Sequence, residues 1–270
     1  MFVTLTVQER QLGFWGRLLG KGRHPALQLD TADCLGARYA VLQAESYGQP
    51  DWTQIERICG TYANRVLLPQ GFCPPPDSRL RTPTFPRFTR RLLLLAACAL
   101  TTHSGLPLYR RVLGLIDSDA AYTDMLFPLL HHCTAVKVLT QATAGYTQAA
   151  ERMMHALGAP VLLAEEAAAL TDCFLLLAPG GIPPQDIPAL AQLPCPVLAA
   201  ASRPGMDCLV PHGVRPIAAI HSRCPPGIAP QDFTAALYEF SGLAPTAFVP
   251  DKLLTNHQLL DIPTAARRLW

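Results

Sequence analysis

The chain has little charge and few signature motifs. Only 16% of its 270 residues are Asp, Glu, Lys or Arg, and the formal net charge is +2. That falls short of the dense basic face that nucleic acid requires, and the basic stretches carry few aromatics on which bases could stack. No apolar run reaches the roughly 20 residues of a membrane span. The strongest, Leu92–Leu100 behind Arg90 and Arg91, reads as a buried helix. Met1–Glu9 alternates apolar and polar side chains and lacks the form of a signal peptide. The nine cysteines include no C-x-x-C pair. Their odd number, and the setting of Cys98 and Cys173 inside apolar runs, predict reduced thiols and a cytoplasmic, reducing compartment. No Walker loop, G-x-S-x-G or H-E-x-x-H occurs, so phosphate-loop, serine-hydrolase and zinc-protease chemistry have no local signature.

Hydrophobic residues are plentiful, at 50%, and so are prolines, at 26. The first permits a sizeable core; the second predicts abrupt element ends and rigid connections. Phe2–Val7 alternates as a strand. Leu12–Arg23 mixes Phe14, Trp15, Leu18 and Leu19 with Arg17, Lys21 and Arg23, which suits a membrane-surface segment, but its four glycines favour a surface hairpin. Ala37–Ala44 reads as a buried strand. Asp51 caps a helix carrying Trp52, Ile55 and Ile58 on one face. Arg65–Leu68 then gives a strand, so the spacing predicts a parallel β-α-β unit. Residues 73–86 (CPPPDSRLRTPTFP) can be neither helix nor central strand. Phe88–Thr102 is a helix with an almost wholly apolar body.

Beyond Pro107 strands and helices alternate. Strands are expected at Arg111–Asp117 (RVLGLID), Val136–Thr140, Pro160–Ala164, Cys173–Leu177, Pro196–Ala200 and Pro216–Ile220. Helices are expected at Asp119–His132, broken at Pro128, and at Tyr146–Leu157, whose stripe is Ala149, Ala150, Met153, Met154 and Leu157. Shorter helical turns fall at Glu165–Leu170 and Ile187–Leu193, and a further helix at Gln231–Ser241. Continuous apolar strands between helices mean a parallel sheet covered on both faces, and right-handed crossovers make it doubly wound. The expected fold class is α/β with two domains. Residues 1–105 form a small N-terminal α/β domain with the proline-rich loop 73–86. Residues 106–228 form a Rossmann-like doubly wound parallel sheet, and residues 229–270 a C-terminal helix and tail, the helix returning to the first domain.

In such a sheet a ligand lies beyond the carboxyl ends of the strands. That places Asp117, Ser118, Asp119, Thr140, Thr143, Gly180, Gly181, Ser202 and Arg203 around any crevice. The ligand expected there is an unspecified small molecule; nucleic acid and a membrane span are not expected, and the pattern leaves the oligomeric state open.

The order from Arg110 to Gly242, with the helix running into Gly158-Ala159-Pro160-Val161 and the buried strand at Cys173, resembles the nicotinamide-binding half of the amino-acid- and shikimate-dehydrogenase families. The resemblance implies an NAD(P) cofactor and dehydrogenase activity. The residues depart from it in two places. Such a fold wants G-x-G-x-x-G after its first strand, so that backbone can approach the pyrophosphate. Here that position reads Asp117-Ser118-Asp119-Ala120-Ala121-Tyr122. The second strand should end in an acid for the ribose, and it ends Thr140-Gln141-Ala142-Thr143. The sequence therefore favours a Rossmann-like protein without the standard dinucleotide loop, acting as a binding or structural protein. The alternative is a dehydrogenase-like enzyme with an atypical loop.

Asp117-x-Asp119 with Thr140 also resembles the haloacid-dehalogenase phosphatase layout, a Mg²⁺-dependent chemistry with an aspartate nucleophile. The later carboxylate pair is missing from Cys173–Gly181, and no lysine stands between Thr140 and Lys252. The plainer reading has Asp117 and Asp119 capping the helix that follows. Cys208-x3-His212 and His221-x2-Cys224 have zinc-ligand residue types, but their setting reads as plain loops and no metal is expected.

Overall fold

The computed structural model describes residues 1–9, 27–46, 50–255 and 258–270; the Leu12–Arg23 segment lies outside the described residues. Contacts group the chain into two units, residues 1–88 with 215–248 and residues 89–214 with 249–270.

The first unit holds a four-stranded sheet built from β1 (Val3–Glu9), β2 (Leu27–Cys34), β3 (Ala37–Ser46) and β4 (Val66–Leu67), in the order β2-β3-β1-β4. β1 runs parallel to both β3 and β4, while β2 and β3 form an antiparallel hairpin. Leu35 and Gly36 turn that hairpin with φ of 56° and 80°, as a two-residue type I′ turn requires. Helix α1 (Trp52–Cys59) starts at Asp51, whose carboxylate accepts from Gln54 N at 3.0 Å. Its buried face, Ile55 and Cys59, packs with Val3, Leu5, Leu42 and Val66. The proline-rich stretch has no helix or strand before Pro86. It is nonetheless pinned, because Glu56 accepts from Ser78 Oγ at 3.0 Å and Arg79 N at 3.1 Å, and Leu80 is buried in the same core.

The second unit contains most of an eight-stranded sheet. Its strands are β5 (Val112–Ile116), β6 (Ala135–Leu139), β7 (Val161–Ala164), β8 (Leu175–Ala178), β9 (Val197–Ala199), β10 (Cys208–Pro216), β11 (Phe248–Leu254) and β12 (Leu259–Asp261). They lie in the order β12-β11-β10-β9-β8-β5-β6-β7. The run from β7 to β10 is parallel throughout. Counted along the chain it is 3-2-1-4-5-6, the doubly wound Rossmann order. Alternate residues feed two cores, one on each face. Leu113, Leu115, Leu175 and Leu177 point into one, with Leu93, Ala97 and Leu100 of α2 (Pro86–His103) and Ile262 and Ala266 near the C-terminus. Ile116, Leu176 and Ala178 point into the other, with Leu170, Ile182 and Leu190. This is the period-2 alternation of a sheet buried on both sides. No helix among the described residues is long and apolar enough to cross a membrane.

Several expectations require correction. The helix expected over Asp119–His132 is replaced by a turn, a 3-10 segment at Thr123–Met125 and the short α3 (Leu126–Leu130). Pro216–Ile220 is not a strand: β10 ends at Pro216, and Ala218–His221 forms α4, with only Ile220 buried. Strands β2 and β10 are additional to those expected, since neither carries a continuous apolar run, Pro211 and Gly213 interrupting β10. From Thr89 onward α2 groups with the second unit rather than with residues 1–88, because its apolar face shares the core of β5 and β6.

Candidate functional site

The parallel order reverses between β5 and β8, and their carboxyl ends diverge there. This is the topological switch point where doubly wound sheets hold ligands. A cleft of about 410 Å³ opens at this place, lined among others by Asp117, Ser118, Asp119, Tyr122, Gly180, Gly181 and Arg203.

Asp117 follows β5 and is only 3% exposed. Its carboxylate oxygens accept from Ala121 N at 3.3 Å and Tyr122 N at 2.8 Å, and from the Tyr146 hydroxyl. The chain can curl over the carboxylate because Ala120 takes a left-handed φ of 59°. That curl is what prevents a helix from starting at Asp119. Tyr146 comes from α5 (Thr143–Leu157) and is fully buried. Burial first, and then its bond to Asp117, push the phenol's pKa upward, so it stays a donor. The close approach of α5 depends on Gly145, where a Cβ would stand 2.8 Å from the Cβ of Ala120.

On the far side of the cleft, the Tyr122 ring lies over Gly180, 3.2 Å from where a Cβ would be. The Arg90 guanidinium stands 4.8 Å from the centroid of the same ring and pairs with Asp124. Burial and the nearby Asp117 and Asp119 raise the Tyr122 phenol against the opposing pull of Arg90. Gly181 has φ of +87°, and Arg203 Nη2 lies 3.2 Å from its Cβ direction. Arg203 itself is exposed.

Six of the nine residues expected from sequence thus line one cleft: Asp117, Ser118, Asp119, Gly180, Gly181 and Arg203. The other three do not line it. Thr140 is buried and accepts from Ala142 N at 3.0 Å, Thr143 is exposed at the start of α5, and Ser202 is exposed beside Arg203. Sequence reasoning missed Tyr122 and Tyr146. The available signal was a tyrosine at the head of an apolar helix stripe, since a buried phenol needs an acceptor.

The residues do not fit a dinucleotide pyrophosphate. Two backbone amides of the turn after β5, those of Ala121 and Tyr122, are already given to an internal carboxylate, the following α-helix spans five residues, and β6 is followed by no acid. Nor does Asp117 fit a phosphatase nucleophile, because both of its oxygens are engaged by donors in a buried setting. No group of three or more His, Cys, Asp or Glu able to hold a metal occurs among the described residues. A larger cleft of about 750 Å³ lies at the amino ends of β9 and β10, lined by Cys195, Val197, Cys208 and Arg268 among others. It is on the wrong end of the strands for the ligand position of a doubly wound sheet.

The strand order and the switch-point cleft define the chain as a two-domain α/β protein with a Rossmann-type sheet. No protein-family model matches it, and no curated protein sequence does. Among solved structures it is similar to the shikimate dehydrogenase of Mycobacterium tuberculosis, at 13% identity and a TM-score of 0.33 over 86% of this chain and 88% of that one. It is also similar to the L-tryptophan dehydrogenase of Nostoc punctiforme, at 14% identity and a TM-score of 0.34 over 99% and 87%.

Proposed function

We propose that this chain is a Rossmann-fold binding or structural protein whose dinucleotide site is closed from within. The observation that supports this reading is the carboxylate of Asp117, which takes the hydrogen-bond donors of the first strand-to-helix turn. In a dinucleotide-binding fold that turn offers its amides to the pyrophosphate. Here a negative charge of the protein's own already satisfies them, and a second, Asp119, stands two residues on. An incoming pyrophosphate would meet repulsion from these carboxylates and find the Ala121 and Tyr122 amides already engaged.

The test is thermal unfolding with NAD⁺, NADH, NADP⁺ and NADPH, each raised to millimolar concentration. Binding to the native state alone must raise its stability. The expected result is a melting temperature that does not move with any of the four. A saturable rise with one of them would overturn the reading and make the chain a dehydrogenase-like protein with an atypical cofactor loop.

A further inference from the structure

Closing the phosphate position does not fill the cleft. About 410 Å³ remains at the switch point, near the lower end of the roughly 300–1,000 Å³ typical of small-molecule sites. The groups around it carry opposite signs. Asp119 and Ser118 stand exposed on the β5 side, and Arg203 stands exposed on the other, against the bare backbone of Gly181. The charge of Asp117 is directed inward to Tyr146 and two amides, which leaves Asp119 as the outward-facing acid of this loop.

From this arrangement we infer that the cleft binds a small zwitterion, a molecule with a carboxylate at one end and an ammonium at the other. The carboxylate goes to the forked donors of Arg203, the geometry that guanidinium recognises best. The ammonium goes to Asp119, with the Ser118 hydroxyl beside it. A polyanion is disfavoured by Asp119, and a simple cation by Arg203, so neither charge alone is complementary to the whole cleft. The inference rests on the reading that the dinucleotide site is closed.

The experiment uses the full chain and a graded set of probes, the ω-amino acids from glycine to 6-aminohexanoate. Butyrate and butylammonium serve as single-charge controls, and NAD⁺ and NADP⁺ are run beside them. Isothermal titration and thermal shift should show saturable binding of at least one amino acid and of neither control. Arg203→Met and Asp119→Asn, both at exposed positions, should leave the unliganded melting temperature unchanged and each weaken that binding about tenfold or more, the scale of a lost charge-assisted hydrogen bond. No binding by any amino acid, or binding unchanged in both variants, overturns the inference. If the dinucleotides also fail to bind, the closed-site reading survives that loss; if a dinucleotide binds, both readings fall together.

Discussion

A buried carboxyl group is costly unless donors surround it, and Asp117 has three: two backbone amides and the Tyr146 hydroxyl. Removing one donor while the carboxyl stays buried costs more than the bond itself was worth, because the acceptor is left unsatisfied. Tyr146→Phe is therefore expected to destabilise the protein by about 2 kcal/mol, read as a lower urea midpoint. Tyr122→Phe is the matched control. It keeps the backbone amide that Asp117 uses and the ring that covers Gly180, so its midpoint should stay close to that of the parent. Equal midpoints for Tyr146→Phe and the parent would show that the hydroxyl contributes nothing to holding Asp117. Only half of this pair was legible in the sequence. Asp117 stands out because it ends an apolar strand, whereas Tyr146 lies 29 residues away and reads only as the first residue of a helix whose apolar stripe begins at Ala149. Nothing local says that its hydroxyl reaches back to a strand end.

At the scale of elements, the doubly wound order was readable because β5, β6, β8 and β9 are short, almost wholly apolar runs between breakers, as a sheet covered on both faces requires. The hairpin strand β2 exposes most of its side chains, so no apolar face marks it. The helix expected after Asp117 failed for a different reason: a tertiary partner outcompeted local propensity. Asp119–His132 has helical patterning, but the turn over Asp117 is held from outside by α5. The contact between the two elements narrows at Gly145 and Ala120. Gly145→Ala would ordinarily favour a helix by about 1 kcal/mol, but its Cβ would meet the Ala120 Cβ, so the substitution should destabilise instead. Ala120→Gly removes the obstructing atom at a position whose φ of 59° suits glycine. In a double-mutant cycle, Gly145→Ala should cost stability in the parent and cost less, or gain, in the Ala120→Gly background. Additive changes would mean that the two elements do not constrain each other.

Across the whole molecule all nine cysteines are free, and all but the exposed Cys73 are buried or half-buried. In the second unit, burial raises Cys98 to about 11 and Cys133 and Cys173 to about 12, against about 8.5 for a thiol in an unfolded chain. The consequence for stability has a definite sign. Below about pH 8.5 both states hold these protons and the folded state has its full stability. Above that value the unfolded chain releases them first, so it is favoured progressively until the folded-state thiols titrate near 11 to 12. Each such thiol contributes about 1.4 kcal/mol of lost stability per pH unit within the window. Urea unfolding under reducing conditions should therefore give midpoints that are level up to about pH 8.5 and fall steeply above it. Cys98→Ala removes one titrating group and should flatten that fall without moving its onset. A midpoint that holds level through pH 10 would mean that these thiols reach water in the folded state, and that the cores on the two faces of the sheet are looser than their packing indicates.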